Sequence, residues 1–378
     1  MHSPWAGGVI LVAFAVLALI LANIPQTAGV YHHLLESHLT VGFDHFRLSK
    51  PLEAWINDGL MVIFFFYVGL EIKREIIAGQ LSGVRRAALP VAAAIGGMAV
   101  PALIYVLINR SGDFLSGWGI PMATDIAFAI GILSLLGNRV PVSLKVFLMA
   151  LAVVDDLGGI LVIAVFYSTD IQVGMLVAAA VVFVFMILLK RLNVYKMRYY
   201  LILSIVMWIL FLYSGIHATI AGVLIALTIP STPRFTKRYF SYKTRYYLRS
   251  FRRHDREGVQ VLSNRKQLED IEMVRLVATN AISPSQRLEY ALHHVSFFIM
   301  PVFALANAGV AISGFGDLRV LLEPLGMGIF FGLVVGKPLG VFLFSRLVVW
   351  LKWGELPQGA TWAGVFGVSC LAGIGFTM

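Results

Sequence analysis

Two adjacent aspartates, Asp155 and Asp156, stand in the middle of residues 147–166, an apolar run long enough to cross a bilayer. An ionised side chain at the bilayer centre costs about 2.5–3.5 kcal/mol on insertion scales. Two neighbouring carboxylates also repel each other. No packing requirement explains such a pair, so it marks a site. The rest of the chain has to supply the scaffold, a counter-charge and routes of access.

Only 13% of the 378 residues are charged and 59% are hydrophobic, against roughly 25% charged in a soluble domain. The chain reads as an all-α polytopic membrane protein, a single transmembrane transporter domain over 1–378. Apolar segments fall at 6–24, 54–72, 87–109, 119–137, 142–167, 171–190, 199–213, 216–229, 291–312, 325–350 and 361–378, about eleven spans. Each is expected to be helical, because hydrocarbon offers the backbone no other partner. The first lacks a basic flank and is too long for a leader's apolar region, so it reads as a retained span. The single cysteine, Cys370, rules out an intrachain disulfide and a cysteine-based metal site.

The basic residues set the orientation. Lys73, Arg74, Arg85, Arg86, Arg139, Lys145, Lys190, Arg191, Lys196 and Arg198 all lie in loops that follow even-numbered spans. Those loops, and the N-terminus, are therefore expected on the cytoplasmic side. The long basic loop 231–290 adds thirteen more Lys and Arg. In 234–256 they alternate with Tyr239, Phe240, Tyr242, Tyr246, Tyr247 and Phe251, which suits anionic lipid headgroups. Residues 263–280 read as an amphipathic helix with Leu268, Ile271, Val274 and Leu276 on its apolar side. No nucleic-acid module is present, so the net charge of +10 is assigned to topology and not to nucleic acid. His32, His33, His38 and His45 lie near Glu36 and Asp44 in the outer loop 25–53, without standard metal-ligand spacing. The run 364–378 is apolar to its last residue, which predicts a chain truncated in the eleventh span.

Five ionisable residues fall deep within spans: Asp58, Asp125, Asp155, Asp156 and Lys337. Lys337 is the only base among them, and its natural partner is one of the paired aspartates. Thr124 and Asp125, flanked by Pro121 and Gly131, predict a helix broken at that point. Gly373 and Gly375 suggest a second break. Carboxylates, a hydroxyl and freed carbonyls suit a hard cation. Two crowded carboxylates also favour protons. A site that holds either a cation or protons, placed between two gates, is an exchanger. No phosphate-binding loop is present to couple it to ATP, and no cofactor is implied.

These stretches resemble the NhaA family of bacterial sodium/proton antiporters. The likeness rests on Trp55-Ile-Asn-Asp58, Val68-Gly-Leu-Glu-Ile-Lys-Arg-Glu75, Ala123-Thr-Asp-Ile-Ala-Phe128, Leu148-Met-Ala-Leu-Ala-Val-Val-Asp-Asp-Leu-Gly158, Ser214-Gly-Ile-His-Ala-Thr219, Phe303-Ala-Leu-Ala-Asn-Ala-Gly309, Gly336-Lys-Pro-Leu-Gly340 and Gly373-Ile-Gly-Phe-Thr377. The resemblance implies an inverted-repeat transporter of twelve spans, the fourth and eleventh broken and crossing. It implies electrogenic, pH-regulated exchange of Na+ or Li+ for H+ across the bacterial inner membrane, by a homodimer joined through a small outer hairpin. By motif, Asp156 is implied as the main cation and proton carboxylate, and Asp155 as its partner paired with Lys337. Na+ or Li+ would sit at these two aspartates. Asp125 balances the broken helix ends, Thr124 is a nearby ligand, and Asp58 is a further intramembrane polar position. Glu71, Glu75, Glu289 and His293 match the family's pH-sensing cluster, and His217 its pH-linked histidine. Tyr290 stands where the family often has histidine, and 231–290 is longer than the usual loop.

Three rival functions share part of this pattern. An intramembrane aspartyl protease would need a Gly-x-Gly-Asp motif that is absent, and would leave Lys337 without a role. A retinal-type photoreceptor needs fewer spans. A sodium-coupled symporter of an organic anion shares the broken-helix logic but needs an anion pocket, for which Lys337 is the only intramembrane base.

Overall fold

The computed structural model describes residues 6–43, 46–110, 113–125, 129, 132–133, 136, 139–168, 170–255, 264–312, 319 and 322–375. The chain is helical apart from one hairpin. The helices are α1 (Ala6–Asn23), α2 (Pro25–Glu36), α3 (Met61–Ala78), α4 (Val84–Ile108), α5 (Val142–Phe166), α6 (Val173–Arg191), α7 (Met197–Leu212), α8 (Thr219–Thr228), α9 (Lys237–Arg253), α10 (Arg265–Ala281), α11 (Pro284–Asn307), α12 (Pro324–Trp350) and α13 (Trp362–Ala372). Four of them, α4, α5, α6 and α12, are long and apolar enough to cross a membrane. Two bent pairs, α1 with α2 and the halves of α11, raise that to six. The shorter apolar helices α7, α8 and α13 account for further segments.

The expectation of an all-α chain needs correction, and the small outer hairpin that the family resemblance implied is present. The chain is not purely α-helical: β1 (His38–Phe43) and β2 (Phe46–Pro51) pair antiparallel, with Val41 opposite Leu48. Residues 38–43 alternate polar and apolar side chains, a period that suits a strand and not a helix. The outer loop 25–53 is therefore structured throughout its described part, since α2 turns 110° away from α1 at Pro25. Asp44 and His45 lie outside the described residues, as do Phe128 and Gly131 of the first break and residues 376–378 at the chain end.

In loop 231–290, helix α9 packs on α10, and their N-termini are capped by the Thr236 hydroxyl and the Asn264 amide oxygen. The amphipathic helix expected over 263–280 is present as α10, and its polar side faces α9. Leu268, Ile271 and Leu276 are exposed, while Gln267, Asp270 and Val277 are buried. The cause lies in α9 and its C-cap, whose inward groups are polar. His254 Nδ1 lies 3.3 Å from Asp270 Oδ2, and Gln267 donates to the Phe251 carbonyl at 3.3 Å.

Two packed groups of helices meet along α5. Leu89 and Ala93 of α4, Leu148 and Leu151 of α5, Val341 of α12 and Val365 and Val368 of α13 form one core. Leu70 of α3, Met186 of α6, Met207 of α7 and Ile225 of α8 form the other. Val68 and Ile72 of α3 reach Val153 of α5 and join the two. Glycines set the closest contacts, as expected where helices associate by packing alone. Gly332, Gly336 and Gly340 recur every fourth residue on α12. A Cβ on Gly336 would stand 2.9 Å from Pro101 Cα of α4, and one on Gly332 would stand 2.8 Å from Pro121 Cβ. A π-turn at Gly332–Gly336, just ahead of Pro338, releases the ladder beside Lys337.

The α3–α8 contact is as tight. A Cβ on Gly69 would lie 2.7 Å from Ala226 Cβ, and one on Gly222 would lie 2.9 Å from the Phe66 amide nitrogen. Overpacking a site of this kind costs about 1–3 kcal/mol. Gly222→Val is therefore expected to lower the melting temperature of the purified protein well below that of Gly174→Val, since Gly174 has open space around it. Equal melting of the two variants would refute the packing argument.

Candidate cation site

The helix break anticipated at Thr124-Asp125 is present. A 3-10 helix, Asp113–Met122, runs into irregular backbone at 123–125. The Ala129 amide then donates to the Asp125 carbonyl at 3.0 Å. Two tyrosines hold the approach to this break. Tyr105 donates to the Phe114 carbonyl at 2.7 Å, and the Tyr167 hydroxyl lies between the Ser116 carbonyl at 2.5 Å and the Gly119 amide at 2.9 Å. Neither tyrosine stood out in the sequence, because an aromatic residue at a span end is ordinary.

At the other side α13 stops at Ala372, and 373–375 are not helical. The two unwound stretches touch. The Asp125 amide donates to the Ile374 carbonyl at 2.8 Å, and the Thr124 hydroxyl reaches the Ala372 carbonyl at 2.9 Å. Gly375 is needed for this approach, since a Cβ there would stand 2.7 Å from the Ala123 carbonyl oxygen.

Helix α5 brings its aspartates to this crossing. Asp155 Oδ2 lies 2.6 Å from Thr124 Oγ1 and 2.5 Å from Lys337 Nζ. Lys337 also donates to the Met122 carbonyl, the last of the 3-10 helix, where a cation meets the negative end of the peptide dipoles. Lys337 is completely buried, Asp155 and Asp125 are 1% exposed and Asp156 is 5% exposed. Asp155 Oδ1 is buried with no hydrogen-bond partner among the described residues. One buried ammonium thus pairs directly with Asp155, and Asp125 and Asp156 are buried as well. The Thr124 hydroxyl has one hydrogen for two acceptors. The donor set is all oxygen: carboxylates, a hydroxyl and the carbonyls of an unwound backbone. Hard monovalent and divalent cations prefer such a set, and thiol- or imidazole-seeking metals do not. Among the described residues no three His, Cys, Asp or Glu side chains converge as a resident metal would require.

A family described as Na+/H+ antiporter 1 matches residues 1–378. The chain belongs to that family. Among its relatives in this antiporter family, the protein named Na(+)/H(+) antiporter NhaA of Oleidesulfovibrio alaskensis is 51% identical over 374 residues, 99% of this chain and 83% of the relative. One named Na(+)/H(+) antiporter NhaA 2 from Syntrophotalea carbinolica is 46% identical over 99% of this chain and 85% of its own length. A third, from Sulfurimonas denitrificans, is 44% identical over the full chain and 85% of the relative. Family members of this name are transporters, not enzymes.

The remaining candidates of this antiporter chain fall in three places. Asp58 does not join the buried group. It sits on a π-turn, Trp55–Leu60, is about one-third exposed, and pairs at 2.8 Å with Lys50 of the hairpin. Glu71, Glu75 and Glu289 gather around Arg74, whose guanidinium lies 3.7, 3.4 and 2.5 Å from them. His293 Nδ1 lies 3.1 Å from the Tyr67 hydroxyl. Arg74 and Tyr67 are the members missed from sequence. Their signal was the spacing 67, 71, 74, one face of α3, set against 289 and 293 on α11. His217 lies elsewhere, exposed in the turn before α8.

Removing one member of a buried ion pair costs about 3–5 kcal/mol, because the other charge is left uncompensated. Lys337→Ala is expected to lower the melting temperature markedly, and adding Asp155→Asn to restore part of it. A double variant no more stable than the single would dismiss the pair as a stability element.

Proposed function

We propose that this chain exchanges Na+ for H+ across the bacterial inner membrane, with Li+ as an alternative cation and with the N-terminus in the cytoplasm. Asp156 carries the transported cation or proton. Asp155, Thr124 and the carbonyls of the crossing stretches complete the site, Lys337 compensates charge, and Asp125 balances the peptide dipoles of the broken helices. The observation that carries this reading is the crossing of 123–125 with 373–375 beside Asp155 and Lys337. It supports in addition the inverted-repeat, twelve-span arrangement that the family resemblance implies.

Cation and proton compete because they use the same oxygens. A carboxylate that holds Na+ cannot be protonated at that oxygen, and a protonated acid has lost the charge that attracts Na+. When two acids release two protons for one cation, the exchange moves net charge. Arg74, Glu71, Glu75 and Glu289, with His293 through Tyr67, set the pH response at the end of α3 and α11, and His217 adds to it. The arginines and tyrosines of α9 lie against anionic headgroups. The exposed edge residues Leu39 and Val41 of β1 suit a second copy of the chain in a homodimer. A symporter of organic anions has no support here: Lys337 is engaged by Asp155 and Met122, so no free buried base remains among the described residues.

The test uses everted vesicles carrying the full chain, with an acid interior reported by a quenched dye. Na+ or Li+ should dequench the dye, and Asp156→Asn should reduce that signal by at least about 100-fold, as loss of a group acting at the reacting site does. A fully active Asp156→Asn protein would falsify the assignment of the site. Cation-dependent solute uptake without proton movement would overturn the exchange reading itself.

A further inference from the structure

Helix α8 is ten residues long, about 15 Å at 1.5 Å per residue, which is half a bilayer core. Its carbonyl end, next to loop 231–290, is buried in the protein. Ala226 and Thr228 are completely buried and Ile229 is 1% exposed. A helix end leaves four carbonyls without intrahelical donors, and the common remedy is a following residue whose amide turns back onto them. Residue 230 is proline and has no amide hydrogen.

The Thr228 hydroxyl donates to the Ile225 carbonyl at 2.7 Å and the Ile229 amide to the Ala226 carbonyl at 3.3 Å; the other donors come from two lysines on other helices. Lys73 of α3, 6% exposed, donates to the carbonyls of Leu227 at 2.8 Å, Ala226 at 3.1 Å and Ile229. Lys190 of α6 donates to the same Leu227 carbonyl at 3.1 Å. All three hydrogens of the Lys73 ammonium are used. The next residue, Arg74, leaves α3 about 100° away around the helix and holds Glu289 of α11. One turn of α3 thus grips α8 on one side and α11 on another. Sequence reading used Lys73 only as an orientation marker.

We propose that Lys73 and Lys190 are positioning residues for exchange, fastening the carbonyl end of α8 to α3 so that the α3–α8 unit responds to their charge. This rests on the exchange reading above. Lys190 is the charged group set against Lys73. Helix α8 contributes none, because 218–230 contains no ionisable residue. On α3 itself Glu71 and Arg74 are neighbours, engaged with each other and with Glu289. Burial, with Lys190 beside it, pushes the Lys73 ammonium down to about 7. Below that pH Lys73 carries three N–H donors for three carbonyls. Above it the neutral amine has two and no charge, and its hold on the end of α8 weakens.

The experiment compares Lys73→Met, Lys73→Arg and Lys190→Met in the full chain. The pH profile of Na+-driven dequenching is measured alongside deuterium uptake of residues 224–232 in the purified protein, corrected for the intrinsic pH dependence. Lys73→Met removes the charge at every pH and Lys73→Arg retains it, so their profiles are expected to move in opposite directions, by about one pH unit. Lys190→Met relieves the repulsion and is expected to move the profile with Lys73→Arg. In the wild type, deuterium uptake at 224–232 should rise between pH 6 and 8, and in Lys73→Arg it should stay flat. Unmoved profiles with only lowered melting temperatures would reduce the lysines to structural caps and overturn the proposal. So would flat uptake in the wild type. A protein with pH-dependent uptake but no Na+-driven dequenching would instead indict the exchange reading. If Lys73→Met does not fold, Lys190→Met and Lys73→Arg decide the question.

Discussion

A carboxylate in hydrocarbon must be answered by the protein itself, and the arrangement around Asp155 follows from that demand. Water is not at hand to share the charge, so Lys337 and Thr124 converge on one oxygen of Asp155 at 2.5 and 2.6 Å. Lys337 in turn has to be admitted to the interior. That requires α12 to lie directly on α4, which the glycines at 332, 336 and 340 allow. The backbone has to be unwound at 123–125 and 373–375 so that the two stretches bond to each other and the Thr124 hydroxyl reaches Asp155. Each device would be a defect in a span that only had to cross a membrane. Together they make a buried polar cluster of an ammonium, a carboxylate and a hydroxyl.

The position of α5 ties this pocket to the rest of the molecule. Its inner face packs with α4, α12 and α13, and Val153 on the same helix touches α3. Helix α3 carries the Arg74 group at one end and is held to α8 through Lys73. The acids of α5 and the charged groups at the end of α3 are thus separated by a single helix-to-helix contact, with apolar side chains between them. Val68, Ile72 and Val153 are the side chains that make this contact.

Much of this was legible in the sequence because burying charge is so costly. Asp125, Asp155, Asp156 and Lys337 announced themselves as ionisable residues among apolar neighbours, and the break at Thr124-Asp125 followed from Pro121 and the polar dipeptide. Asp58 looked the same by that criterion, yet it pairs with Lys50 at the hairpin. Sequence distance to a span end does not reveal a strand folding back over it. Which side of α10 is buried was not legible, for a related reason. Hydrophobic periodicity predicts which face is buried only when the partner surface is apolar, and α9 presents polar groups inward. Backbone contacts left no trace at all. The carbonyls of Met122, Ala372, Leu227 and Ile229 that bind lysine and threonine belong to residues whose side chains say nothing about them.

The Thr124 hydroxyl has a consequence of its own. Its single hydrogen faces two acceptors, Asp155 Oδ2 at 2.6 Å and the Ala372 carbonyl at 2.9 Å, and it satisfies one of them fully at any moment. The same Asp155 oxygen also holds Lys337 Nζ at 2.5 Å. One small hydroxyl thus splices the uncharged tip of α13 to the ion pair between α5 and α12.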